Sequence, residues 1–342
     1  MTEHRISLQD IAELAGVTKM TVSRYLRTPD KVASYTGERI ARVIEELNYV
    51  PQPVAGVQSP AKSDTLGVLI PSFKNQIFAD LLSGIEYATR AGHYQTLIAH
   101  YNYDARSEEE QVLNLLAWNI DGIILCEKQH TLRTVKHLRA AKIPIVEVMD
   151  TQGPCLDMQV GFNNFNAGYD MTRTLLEQGR RCIVYLGSLD DRRDEFRFQG
   201  FRKAMQERGL RAARMNPRTL SSQRLGATML EQALRLHPEL DAVFCTNDDI
   251  SLGALLWCQR QGIAVPDEIA ITGFHGLDIS RDMYPSLASV ITPRYAIGVQ
   301  AAELLLKKIA DPAFNADSID LNYQIFMGET IQSRQRIHEK RD

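Results

Sequence analysis

Between Lys19 and Lys31 the chain places four cations and one acid, Asp30. Spaced on a helix, Met20, Ser23, Arg24 and Arg27 share one outward face with Lys19 at its start, Thr21 beside them, and Val22 and Leu26 turned inward. Phosphates call for cations, and base edges for short polar or long basic side chains near a helix N-terminus. A structural helical unit with a solvated basic face fits the same composition, because residues 1–50 hold seven Lys/Arg and seven Asp/Glu. A second group follows short apolar runs. Ser72, Asn75 and Gln76 come after TLGVLIP, Lys128 and Arg133 after DGIILC, and Asp150 ends PIVEVMD. Asn247 and Asp248 follow DAVFC, and His275 follows EIAITGF. In open α/β sheets, ligands bind beyond the carboxyl ends of the strands, so polar pocket residues are expected at these positions. Lys128 and Arg133 would add positive field there, with Glu127 as an alternative partner for Lys128. Asp150 either pairs with a cation or meets ligand directly. Asn247 is placed to cap the helix beginning near Asp249. Phe78 is expected as a pocket wall, and Arg197, in the charged run LDDRRDEFR, reads from composition alone as a surface salt-bridge arginine.

Catalytic signatures are missing. There is no Walker loop, GxGxxG, HExxH or GxSxG, and no Ser, His and Asp set stands out. The acidic run DARSEEE reads as a solvated helix start. Five scattered cysteines without CxxC spacing argue against a disulfide framework or a zinc site, and no cofactor is expected. The composition, 44% hydrophobic and 24% charged with a net charge of −3, is that of a folded soluble protein. The N-terminal MTEHRISLQD has no apolar signal region, and no run approaches a membrane span, so the expected location is the cytoplasm with no membrane partner.

These residues require particular elements to position them. Ser7 and Asp10 make a box-like helix start, Leu8, Ile11, Ala12 and Ala15 form one face, and Gly16 ends the helix. Thr18 caps a second helix to about Leu26. A third, from near Thr36, stripes Ile40, Val43, Ile44 and Leu47. Two short helices joined at Ala15–Gly16–Val17 match a helix-turn-helix. The stretch around 51–63, rich in proline and small residues, reads as a linker. From Thr65 short apolar strands alternate with amphipathic helices, among them 107–118 with a predicted Ser107–Glu110 capping box. Such alternation implies parallel sheets covered on both faces, and its length implies two doubly wound halves.

SLQDIAELAGVTKMTVSRYLRTPDKVASYTGERIARVIEELNYVP resembles the head of the LacI family along its length. LGVLIPSFKNQIFADLLSGIE, WNIDGIILCEK, FRFQGFRKAM and FCTNDDISLGAL resemble its effector domain. The implied fold is α/β: a small all-α helix-turn-helix head plus a two-lobed, doubly wound, periplasmic-binding-protein-like domain. The expected boundaries are 1–50 for the head, 51–63 for the hinge and 64–335 for the effector domain. Its lobes would be about 64–161 with 292–322, and 162–291 with 323–335, leaving 336–342 as a tail. By this resemblance Lys19, Met20 and Arg24 read bases, Thr21 and Ser23 assist, and Asn48 and Tyr49 close the third helix. Gln58 stands where the family wedges a leucine into the minor groove, with Pro53 and Pro60 nearby and Val57 as a substitute wedge; a less kinked operator follows. Arg197 aligns with the arginine that grips ligand hydroxyls or a carboxylate, and Asn247 with an asparagine that donates to ligand. His275 replaces a family aspartate, which removes a negative charge and lets imidazole, or more strongly imidazolium, donate to an acid. TKMTVSRYLR, NIDGIILCEK, FCTNDDI and GFHGLDI further resemble the gluconate and idonate utilisation branch of the family. The expected effector is therefore a small sugar acid such as gluconate, idonate, a keto-gluconate or a phosphorylated form, with a neutral sugar as the alternative. The expected partners are a second copy of the chain and a near-palindromic operator DNA. Repression and activation both stay open.

Overall fold

A computed structural model of the chain describes residues 6–49, 63–189, 191–316 and 318–332. The head is three helices, α1 (Leu8–Leu14), α2 (Lys19–Arg27) and α3 (Ser34–Glu46), with a 3-10 turn at Pro29–Lys31. Several boundaries have a local cause. Ser7 accepts from the Asp10 N–H while the Asp10 carboxylate takes the Ser7 N–H, a complete capping box. Gly16, at φ +61°, lets α1 end in a left-handed turn, and Val17 N–H then reaches the Ala12 carbonyl. The third helix starts at Ser34, two residues before its predicted start at Thr36. Asn48, at φ +48°, ends it in the same way, with Tyr49 N–H donating to the Ile44 carbonyl at 2.9 Å. Ile11, Ala12, Ala15, Val22 and Ile40 form the head's core. Arg39 of α3 donates to the Ala15 carbonyl and so ties the third helix to the helix-turn-helix. The hinge residues Val57 and Gln58, with Pro53 and Pro60, and the tail 336–342 lie outside the described residues.

The chain also divides into two compact units. The first takes the chain up to Met149, then Pro154–Val160 and Tyr295–Ser318. The second takes Asp150–Gly153, Gly161–Arg294 and the chain from Ile319. The first unit carries β1 (Thr65–Ile70), α4 (Ile77–Ala91), β2 (Gln95–His100), α5 (Ala105–Ala117), β3 (Gly122–Leu125), α6 (Leu132–Ala141), β4 (Ile145–Val148) and β5 (Met158–Gly161). Its strands run parallel in the order β5-β4-β3-β1-β2. The second unit carries α7 (Asn164–Glu177), β6 (Ile183–Leu186), α8 (Arg192–Glu207), β7 (Ala213–Met215), α9 (Gln223–Leu236) and β8 (Ala242–Cys245). It continues with α10 (Asp248–Gln261), β9 (Ala270–His275), α11 (Asp278–Asp282) and β10 (Ala288–Ile291). Helix α12 (Arg294–Ala310) leads back to the first unit, followed by the short strands β11 (Ile319–Asp320) and β12 (Gln324–Phe326). The second sheet runs β12-β10-β9-β8-β6-β7, parallel except where β12 meets β10. Both orders are the same doubly wound scheme, and each has its switch point beside the first strand of its half.

Central strands such as GIIL, IVYL and AVFC are buried at every residue, as parallel strands covered on both faces must be, whereas the edge strand β2 is only partly covered. The strands β7, β11 and β12 had no clear signal, being two or three residues long, partly exposed and charged or polar in part. The predicted Ser107–Glu110 box is corrected: Asp104 caps α5, taking the Ser107 N–H at 2.8 Å, so the helix begins at Ala105.

Candidate functional site

Helix α2 presents its polar face as its spacing predicts. Thr18 caps it, taking the Thr21 N–H at 3.2 Å, and the two hydroxyls lie 2.9 Å apart. Val22 is buried, while Lys19, Met20 and Arg24 are exposed and Thr21 and Ser23 half-buried. Met20 is 72% exposed, an apolar chain of that size left in water at the start of the helix. Arg27 is the last residue of α2. Asn48 and Tyr49 close α3, and Tyr49 packs against the head's core.

In the second unit, three of the predicted residues come together: Asp150, Arg197 and His275. Arg197 lies on α8, after β6, with its guanidinium buried. Its Nε donates to Asn164 Oδ1 at 2.9 Å and its Nη1 to the Thr246 carbonyl at 2.8 Å. The guanidinium stacks 4.0 Å over the Phe274 ring. Asn164, the first residue of α7, passes the contact on, its Nδ2 donating to Asp150 Oδ1 at 3.2 Å. Arg197 is thus no surface salt-bridge arginine but the hub of a buried chain, Arg197–Asn164–Asp150. Sequence reasoning missed Asn164 and Thr246. It also missed the cause of their proximity: a Cβ on Gly168 would collide with the Arg197 backbone and one on Gly200 with the Phe165 carbonyl, so α7 and α8 come this close because residues 168 and 200 are glycines. Burial pulls the Arg197 pKa down from its ordinary value, against the pull of neighbouring acids.

His275 ends β9 with φ +97°, a conformation side chains rarely adopt. Its carbonyl accepts from Arg294, and its Nδ1 lies 3.3 Å from Thr292 Oγ1. Burial first, and then the charges of Arg197, Arg294 and Arg193, hold its pKa well below the usual 6.5. Of imidazole and imidazolium, both expected as donors to an acid, the buried site favours the neutral ring. Arg193 pairs with Asp191 at 2.7 Å. Burial pushes the Asp191 carboxyl up, but Arg193 and then Arg197 outweigh it and hold it below its ordinary range. Asn247 caps α10, with Oδ1 taking the Ile250 N–H at 3.1 Å and Nδ2 donating to Ser221 at 2.5 Å. Its neighbour Asp248 is buried and ties α10 to the loop after β9 through the Leu277 N–H at 2.6 Å, and to Ser289 at 2.8 Å. Burial raises its pKa to about 6.

In the first unit the predicted residues stand at the ends of β1 and β3. Ser72 Oγ takes the Lys74 N–H at 3.1 Å. Asn75 takes the Ile77 N–H at 3.2 Å and donates to Tyr103 Oη at 3.2 Å. Phe78 faces the interior of the unit, 1% exposed. Lys128 Nζ donates to Gln159 Oε1. The Glu127 carboxylate takes the backbone N–H groups of Lys128, at 2.7 Å, and of Gln129. Arg133 is 72% exposed and pairs with Glu109 at 3.3 Å, so its charge is spent locally.

A helix-turn-helix head followed by two doubly wound units, one with a buried arginine and histidine at its strand ends, is the build of a ligand-sensing DNA-binding regulator. Residues 7–52 match the family model described as bacterial regulatory proteins, lacI family. Residues 63–329 match that of periplasmic binding proteins and the sugar binding domain of the LacI family. The chain belongs to the LacI family; it is a DNA-binding transcription regulator and not an enzyme. It is 60% identical to the HTH-type transcriptional regulator IdnR of Escherichia coli (strain K12), over 97% of this chain and 100% of the relative. It is 45% identical to the HTH-type transcriptional regulator GntR of the same strain, with the same coverage of both chains. The crystal structure of transcription regulator GntR from Chromobacterium violaceum is similar, with a TM-score of 0.75 and 37% identity over 79% of this chain and 100% of that one. Among the described residues, no helix is long and apolar enough to cross a membrane.

Proposed function

We propose that the effector is a small sugar acid, such as gluconate, idonate or a keto-gluconate, and that it sets operator affinity for genes of sugar-acid breakdown. One observation carries this reading: burial first, and then the charges of Arg197, Arg294 and Arg193, lower the pKa of His275, so three arginines converge on the strand ends of the second unit. An anion is stabilised there, while the neutral imidazole still supplies a donor. The likeness to the IdnR and GntR regulators supports the same reading. Asp150 favours the second reading, a neutral sugar, since a buried carboxylate binds hydroxyls and opposes an acid.

On DNA, Lys19, Met20 and Arg24 read base edges, Thr21, Ser23 and Arg27 add polar or phosphate contacts, and Asn48 and Tyr49 brace the end of α3. Two copies pair, so that two heads reach successive major grooves of a near-palindromic site in the cytoplasm. Light scattering checks the pairing, and a mass above that of a dimer overturns it. Effector binding shifts operator affinity only by its differential affinity for two states of the protein.

The test is a thermal-shift panel with gluconate, idonate, 5-ketogluconate, 6-phosphogluconate, glucose and ribose. Ligand at roughly 100 times its Kd adds about 2.7 kcal/mol of apparent stability. Stabilisation by the acids alone is expected; stabilisation by glucose or ribose alone overturns the sugar-acid reading and leaves the regulator intact.

A further inference from the structure

A histidine in the first unit has no part in the site described above. His130 lies in the loop joining β3 to α6, two residues after Lys128, and its side chain is 2% exposed. Its Nδ1 is 2.8 Å from Glu108 Oε1, on α5, and its Nε2 is 3.2 Å from Glu147 Oε1, on β4. Both carboxylates are buried as well. Carboxylate oxygens accept, so a ring facing one at each nitrogen must donate from both, which only imidazolium can do. The other oxygen of each carboxylate differs. Glu147 Oε2 takes the Leu156 N–H at 2.6 Å, while Glu108 Oε2 has no hydrogen-bond partner among the described residues. The loop is held beyond His130 too, because Thr131 donates to Glu109 at 3.0 Å and Arg133 pairs with that same carboxylate. Cys155 stands near the same cluster, its thiol raised first by burial and then by Glu147, with Lys128 partly offsetting it.

We propose that His130 is a positioning residue for effector binding: as a double donor between Glu108 and Glu147 it fixes the β3–α6 loop and so holds Lys128 on Gln159 at the carboxyl end of the first sheet. The proposal rests on reading Lys128 as an effector contact. A loop in that place is free to choose its path unless something buried pins it. A charged hydrogen bond at each end of one ring pins it to a helix and to a strand at once. Burial works against the charge, but the hydrogen bonds and charges of Glu108 and Glu147 outweigh it and carry the ring's pKa up to about 9.

Three measurements on the full-length protein test this. Ring-nitrogen NMR, with the His130 signal assigned by its loss in His130→Gln, should show both nitrogens protonated at pH 7.5; a neutral ring at that pH overturns the proposal. Acetylation of Lys128, followed by mass spectrometry with exposed Lys136 and Lys142 as references, should run about tenfold faster in His130→Gln. Glu108→Gln, which keeps the shape and removes one charge, should lower the ring's pKa and quicken the same lysine. An unchanged Lys128 rate in both variants overturns the positioning role, whatever the effector proves to be. Finally, gluconate titrations of His130→Gln, Lys128→Ala and the pair should show each single change weakening binding about tenfold and the pair no more than either. Additive losses overturn the link through Lys128. If gluconate does not bind the unaltered protein while the first two measurements succeed, the sugar-acid reading fails and the clamp on the loop stands.

Discussion

Two buried histidines, one in each unit, carry opposite charge states. His130 faces two carboxylates and its pKa rises to about 9; His275 sits among three arginines and its pKa falls well below 6.5. Burial disfavours the charged ring at both places, so burial does not decide between them. The partners do. Where two acids converge, the proton stays and the ring becomes a structural cation. Where cations converge, the proton leaves and the ring becomes a neutral donor or acceptor facing a positive field. The same residue type is thus a strut in one unit and a candidate ligand contact in the other.

The sharpest way to break this contrast is to remove both rings. His130→Leu strands two buried carboxylates against each other and should cost about 3–5 kcal/mol, as breaking a buried ion pair does. His275→Leu removes one hydrogen bond to a neutral hydroxyl and should cost about 1 kcal/mol. Urea unfolding of the two variants measures this, and equal losses would show that the rings do not differ in charge. Protonation offers the next test. Because the folded pKa of His130 lies above the unfolded value, its stabilisation is complete below pH 6.5 and is lost as pH rises towards 9. That loss amounts to about 3 kcal/mol at 1.36 kcal/mol per pH unit, and should be missing from His130→Gln. His275, already neutral, should leave gluconate affinity within about twofold between pH 6.5 and 8. On the arginine side, Arg197→Ala should weaken gluconate binding by about 2–4 kcal/mol while operator affinity stays within error, since it empties the centre of the positive field. One further change is informative about packing. Gly168→Ala pushes α7 off the Arg197 backbone and should cost about 1–3 kcal/mol of stability, with weaker gluconate binding because Asn164 no longer meets the guanidinium. Calorimetry at fixed temperature separates the two.

The head was almost wholly legible from sequence. Ser7 with Asp10, Gly16, Thr18 and Asn48 are local signals, each acting on backbone groups within a few residues, and the structure uses each of them. The central strands were legible because strands buried on both faces must be apolar throughout. The short edge strands β7, β11 and β12 were not, because two or three half-exposed residues leave no periodic trace. Residue types at the strand ends could likewise be read, since connection rules fix where loops fall. Their partners could not.

What the sequence determined by itself was the order of the central strands, the doubly wound scheme, the polar face of α2 and the choice of Arg197 and His275 as residues to inspect. Only the tertiary structure decided that Asn164 bridges Arg197 to Asp150, that Lys128 meets Gln159, and that one histidine keeps its proton while another loses it. The physical reason is range. Caps and strand burial depend on neighbours a few residues away, whereas a buried charge is set by whichever groups the fold brings within about 3–6 Å, from segments 17 to 22 residues off for His130 and 33 to 49 for Arg197.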